Sequence, residues 1–266
     1  MFDRTDLIYR YDGSFDGLLT CVFESFAHKE RPGQIQGPDC NQFSLFSTRV
    51  IRTDSAKANR VRAGISQKIS AEALGLVLNA SRTCLPDRET LILDFLRLGF
   101  RMGPRVLEHC GDPCVIRLYQ GEAALQQEAH HYKGFVRFTD AQGALSSVIE
   151  PKNDVLPLLM PHFLNRFPRE SFLIFDRTHR RALVGAEGRG RIIPLEALEL
   201  PEAGADEQLF RALWRRYYSI IAIEGRENPR GMQSHLPRRF WGCMTEFQSP
   251  DQSRADLPDQ NALRTS

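Results

Sequence analysis

Between Phe15 and Phe26 the apolar positions Phe15, Leu18, Leu19, Val22, Phe23 and Phe26 recur on one helical face, and Asp12 or Ser14 stands where an N-cap is needed. A short strand over 7–10 precedes this helix. Glycine, proline and glutamine across 31–41 predict a loop, and the alternation over 43–53 predicts a strand. Ser55 is placed to cap a helix carrying Val61, Ile65 and Ile69, and Ser70 opens another. The segment 85–89 starts an apolar helix running to Phe100, with Pro86 near its beginning, where a helix tolerates proline. Gly103 and Pro104 then break the chain, and a long amphipathic helix leads from Asp112 and Pro113 to Lys133.

The pattern changes beyond Glu128. A helix end is followed by a strand at 135–138, a turn at 140–143, a strand at 145–150, a proline-bearing helix at 156–167 and a hairpin of 171–176 with 181–185. Gly134 sits where a left-handed helix cap would fall. This order of helix-strand-strand-helix-strand-strand predicts an α+β fold, with one antiparallel sheet carrying helices on a single face. A mostly helical N-terminal portion, 1–108, is expected to pack on it. The α+β core and its closing C-terminal helices are assigned to 109–247 and a disordered tail to 248–266. The run GAEGRG at 185–190 has the glycines of a phosphate loop, but neither its strand-to-helix context nor its closing Lys-Ser/Thr. It reads as a turn between strands, with Ile192 and Ile193 in the next one. A helix over 207–223 places Phe210, Leu213, Trp214, Tyr217 and Ile221 on one side and Arg211, Arg215 and Arg216 largely on the other.

Composition adds little to this picture: 266 residues, 42% hydrophobic and 26% charged, describe an ordinary folded protein rather than a disordered one. A net charge of +2 leaves any case for a polyanionic partner to local clustering. No secretory pattern opens the chain and no stretch is apolar enough to span a bilayer, so no membrane partner is expected and residence in the cytoplasm is. Among six cysteines only Cys110 and Cys114 are close, and Arg117 stands where a third ligand would be needed. No metal and no cofactor are assigned.

Clustering does occur. Arg177, His179, Arg180, Arg181, Arg189 and Arg191 crowd the last hairpin and its exit, and Arg211, Arg215, Arg216, Arg226, Arg230, Arg238 and Arg239 crowd the C-terminal quarter. Guanidinium groups form forked bonds to phosphate, and Tyr217, Tyr218, Phe240 and Trp241 offer rings on which an unpaired base can stack. Asn228 and His235 complete a candidate anion-binding corner with Arg226 and Arg239. The bland alternative is that these arginines are solvated or paired with Glu170, Glu187, Glu224 and Glu227. For catalysis the candidates are His130, Glu150 and His162, an imidazole–carboxylate set suited to general base work. His130 and His131 are consecutive and diverge by about 100° on a helix. A structural histidine is the competing account for each. Lys57, Arg60, Arg62 and Lys68 read as a solvated helix face, with phosphate contact as the sharper alternative.

Several motifs together carry a resemblance. WRRYY at 214–218, RENPR at 226–230 and HLPRRFW at 235–241 combine with EAH at 128–130, KGFVRF at 133–138, IEP at 149–151, NDVLP at 153–157, PHF at 161–163 and YDGSF at 11–15. The chain resembles a bacterial family of DNA-metabolism or DNA-repair proteins whose core, beginning here near residue 85, is catalogued as a domain of unknown function. Members are typically encoded beside a radical SAM protein, and some are fused to a uracil-DNA-glycosylase-like domain. The resemblance implies a DNA-repair or DNA-modification accessory that binds DNA, a radical SAM partner protein, or both, in a stand-alone form. It carries no established reaction. An enzyme acting on nucleic acid and a protein-binding adaptor without DNA contact are the alternatives.

Overall fold

A computed structural model describes residues 5–38, 45–141, 143–198, 205–221 and 236–247. The chain divides into two compact units: Met1–Gln127 with Lys152–Asp154, and Glu128–Pro151 with Val155–Ser266.

The first unit contains β1 (Thr5–Arg10), α1 (Phe15–Ala27), β2 (Pro32–Gln36), β3 (Ser47–Val50), α2 (Ser55–Lys68), α3 (Ala71–Ala80), α4 (Arg88–Met102), a 3-10 turn (Gly103–Glu108) and the first part of α5 (Pro113–Phe135). Its three strands form a wholly parallel sheet with β1 in the centre. The expected loop at 31–41 therefore begins with a strand. Pro32 occupies the first position of β2, where a missing N–H is tolerated. Ser14 caps α1, its Oγ accepting from Gly17 N at 2.9 Å, while Asp12 accepts from Thr53 Oγ1 at 2.7 Å. The cap of α2 is Asp54, not Ser55: its carboxylate accepts from Ala56 N and Lys57 N. Of the stripe on α1, Leu18, Leu19 and Val22 are buried among Tyr9, Ile65, Leu76 and Phe95, Phe15 and Phe23 are half-buried against them, and Phe26 is 42% exposed.

The cations of α2 are mostly engaged. Arg62 pairs with Asp16 at 2.6 Å, Arg60 lies over the Phe23 ring, and Lys57 Nζ donates to Glu24 Oε1 at 2.7 Å. Glu24 is buried and also meets His28 and Arg49. The hydrogen bond from Lys57, opposed in part by burial, holds the Glu24 carboxyl below the ordinary glutamate range.

The second unit contains the end of α5, β4 (Thr139–Ala141), β5 (Ala144–Ile149), α6 (Leu156–Arg166), β6 (Phe172–Asp176), β7 (Arg181–Ala186), β8 (Arg189–Pro194), α7 (Ala205–Ile221) and two 3-10 turns (Arg238–Cys243 and Thr245–Phe247). Its five strands lie in chain order, and all pairs are antiparallel except β5 with β6. The fold is α+β as expected, but the sheet is mixed rather than antiparallel. A helix, α6, separates β5 from β6, and such a crossover returns the chain to start the next strand in the same direction. The segment expected as a strand at 135–138 is the helix end and an irregular link. Arg137 N donates instead to Cys243 O at 3.1 Å, and the Phe138 ring packs between Phe163, Phe167 and Phe172. Gly134 is not a left-handed cap, because α5 continues through it. The glycine-rich run forms the β7–β8 hairpin, with Glu187 at φ 50° and Gly188 at φ 71° between the paired Ala186 and Arg189. The expected tail at 248–266 lies outside the described residues.

Replacing Glu24 with Gln should cost about 1–2 kcal/mol at pH 7, measured by urea unfolding. Because the folded pKa of Glu24 lies below its unfolded value, its contribution is present above pH ~4.5 and is lost as pH falls through the folded pKa. The difference between the two proteins should therefore close in acid.

Candidate nucleic-acid interface

At the end of β6 the Asp176 carboxylate is fully buried. It accepts from His179 N at 3.0 Å and lies 2.7 Å from His179 Nδ1. These contacts close the four-residue turn to β7, in which Arg180 takes a left-handed φ of 51°. Parallel pairing puts Ile149 beside Asp176, so Glu150 and the turn share one end of the sheet. Arg177 N donates to Ile149 O at 3.0 Å, and Arg177 Nη1 donates to Glu150 Oε1 at 2.7 Å. Arg180 reaches Glu196 at 3.2 Å across the neighbouring strands. Both ion pairs are open to water: Arg177 and Glu150 are 50% and 59% exposed, and Arg180 and Glu196 are 69% and 84% exposed. Arg181 is half-buried in β7 opposite Pro194.

A second group forms where α5 ends. Glu128 is buried, with Arg239 Nη1 3.5 Å away and the Arg239 guanidinium over the Phe240 ring. Phe240 also meets the rings of His131, Tyr132 and Phe135. Burial first, and then the charges of Cys243 and Glu128, push the Tyr132 phenol up, against the opposing Arg239; Asp176 adds to the rise. Burial, followed by Arg239 and His130, holds His131 below the ordinary imidazole value. His162 is depressed by burial, then by Lys133 and Arg166.

The third group is α7 and the final turns. Arg211 binds Glu207 at 2.7 Å and also Thr139, while Arg215 Nε donates to Thr245 O at 3.3 Å. Trp214 Nε1 and Arg137 share the Glu246 carboxylate at 3.0 and 2.9 Å. The arginine side of α7 therefore meets the protein, while Leu209, Phe210, Leu213 and Tyr217 are exposed. Arg216 is also exposed. Arg238 is exposed and lies over the Trp241 ring, which stacks on Phe247 at 4.6 Å and is anchored by Nε1 to Leu236 O at 3.2 Å. Arg226, Asn228, Arg230 and His235 lie outside the described residues, as does the side chain of Tyr218.

The three catalytic candidates are not brought into contact. His130 is exposed on α5, Glu150 is held by Arg177, and His162 packs against Phe163. Among the described residues no group of three His, Cys, Asp or Glu side chains has metal-binding geometry. Among them, too, no helix is long and apolar enough to cross a membrane.

The model of the family described as "Domain of unknown function (DUF4130)" matches residues 86–246. The chain belongs to this family. No curated protein and no solved structure matches it. The DUF4130 match runs from the start of α4 to the last 3-10 turn and includes the catalytic candidates and both arginine clusters, but not the cations of α2. Within it, every cationic side chain beyond Lys152 is an arginine. Guanidinium, unlike ammonium, keeps a planar fork of donors that serves carboxylate and phosphate alike. The paired Asp176 and His179 were missed as a unit in the sequence, where an i, i+3 spacing across a hairpin turn carries no signal of its own.

His131 and His162 should titrate below pH 6.5 in the folded protein, as side-chain NMR would show. The unfolded chain then takes up protons that the folded imidazoles refuse, so stability should fall as the pH drops from 7 to 5.

Proposed function

We propose that this DUF4130 protein is an accessory of DNA repair or DNA modification that binds nucleic acid at the Glu150–Arg181 end of its mixed sheet and at the Arg238–Trp241 turn. The reading rests on one observation: the ion pairs of Arg177 with Glu150 and of Arg180 with Glu196 are open to solvent on both sides. Such pairs are worth about 0–1 kcal/mol, so a phosphate can replace the carboxylate at little cost. Arg238 and Trp241 add a cation beside an aromatic ring, the combination that stacks and neutralises a single strand. A radical SAM protein as the second partner is proposed on the motif resemblance alone.

A second reading, an enzyme acting on nucleic acid, is favoured by the Asp176–His179 pair, in which a buried carboxylate orients an imidazole as a general base requires. It departs from the His130, Glu150 and His162 set. His179→Ala that keeps oligonucleotide affinity but abolishes turnover would support it.

Anisotropy with labelled single-stranded and duplex oligonucleotides at low salt tests the first reading. The double variant Arg177→Glu/Arg180→Glu should bind about tenfold or more weakly, with a salt slope shallower by roughly 0.7–0.9 for each phosphate left without its arginine. Circular dichroism should show that the variant keeps its fold. Wild-type protein that shows no salt-dependent binding, or a variant that binds as well, contradicts the proposal.

A further inference from the structure

Helix α7 rests on the second unit by a polar stripe. Between residues 207 and 217 only Glu207, Arg211 and Arg215, one turn apart, are half-buried, and the others are exposed. Arg211 holds Glu207 and Thr139, and Arg215 Nε donates to Thr245 O. The apolar stripe lies elsewhere on the helix. Leu209, Phe210, Leu213, Trp214 and Tyr217 recur at the three- and four-residue spacing of one face, and each is between 40% and 67% exposed. A surface helix ordinarily turns such a stripe to its own core, and here the charged stripe takes that place.

Two features say what can cover this face. The first is its size. At about 200 Å² for a side chain of this kind, the five leave on the order of 500–600 Å² in water. That is at the upper end of what a monomer exposes as one patch. Two such faces together bury more than the roughly 1,000 Å² that a specific contact needs. The second is its symmetry. Leu213 and Trp214 stand in the middle, with Phe210 three residues before the one and Tyr217 three residues after the other, so the stripe reads alike in both directions. A two-fold axis between Leu213 and Trp214 puts Phe210 opposite the partner's Tyr217, and it sets the two helix dipoles against each other. Part of the face is already fixed: Trp214 Nε1 donates to Glu246 Oε2 at 3.0 Å, Arg137 lies over the Trp214 ring, and that ring is 5.7 Å from the ring of Tyr217. Side chains held before docking lose less freedom on docking.

We propose that the apolar face of α7 is a dimer interface, packed antiparallel against α7 of a second copy of this chain about a two-fold axis. Each copy supplies the same patch, the arrangement of the commonest closed oligomers. Through Glu246 the interface is tied to the final 3-10 turns. The dimer therefore carries two Arg238–Trp241 turns in one assembly. The pairing itself does not depend on nucleic-acid binding, and its test uses no oligonucleotide.

Sedimentation velocity on the full chain between ~1 and ~100 µM tests this. A dimer should form within that range and should persist from ~50 to ~500 mM salt, because burial of apolar surface is not screened. Leu213→Glu and Phe210→Ser should each weaken association by about tenfold or more, with circular dichroism unchanged. Ala212→Glu, at an exposed position off the stripe, should leave it intact. The proposal is overturned if the wild-type chain is monomeric at ~100 µM, whichever other segment or partner then covers the face. It is overturned equally if the dimer dissociates at high salt, if the stripe variants dimerise as tightly as the wild type, or if Ala212→Glu disrupts the dimer as much as they do.

Discussion

Ile149 lies beside Asp176 because β5 and β6 run parallel, and the chemistry of this end of the sheet follows from that pairing. The two strands finish together, so Glu150 from one and the Asp176 turn from the other occupy the same edge. Asp176 is fully buried, and a buried carboxylate without donors would be costly. His179 supplies two nitrogens to it, one from the backbone and one from the ring. That requirement fixes the turn, and the turn carries Arg177 to Ile149 O and Glu150. An antiparallel β5–β6 pair would have put the end of β5 beside the start of β6 and separated these groups.

The arginines of the second unit fall into two energetic kinds. Arg137 and Arg239 meet Glu246 and Glu128, whose side chains are 2% and 1% exposed. Removing a partner from a buried carboxylate is strongly destabilising, so these two serve the fold. Arg211 is similar in being fastened to Glu207 and Thr139. Arg177 and Arg180 face carboxylates in water, and Arg238 lies over an aromatic ring. Exchange with a phosphate costs little only for this second kind. A cluster of arginines in a sequence is thus a mixture, and burial of the acid partner, rather than the count of cations, separates the members.

Much of the local structure was legible. The stripe of α1, the Ser14 and Ser70 caps and the β6–β7 hairpin all follow from periodicity and capping chemistry, which act over a few residues. Strand direction was not, because a period of two is the same in parallel and antiparallel ladders. The segment Pro32–Gln36 has the composition of a turn and is a strand because β1 offers it a partner. The pairing of Arg177 with Glu150, or of Arg137 with Glu246, joins residues 27 and 109 positions apart, a distance over which sequence spacing says nothing. On α7 the period does not say which side meets the protein: Arg211 and Arg215 find Thr139 and Thr245, while Leu209, Phe210, Leu213 and Tyr217 are exposed. Membership in DUF4130 fixes the family over 86–246, while its description names no activity, so the functional argument rests on the geometry of these side chains and on the resemblance of their motifs.

Hydrogen–deuterium exchange of the full chain with and without a single-stranded oligonucleotide, at low salt, tests the central claim most directly. Slowed exchange concentrated in peptides covering 149–151, 176–181 and 236–243 is the result this account predicts. Protection that leaves those three segments unchanged, wherever else it falls, would contradict it.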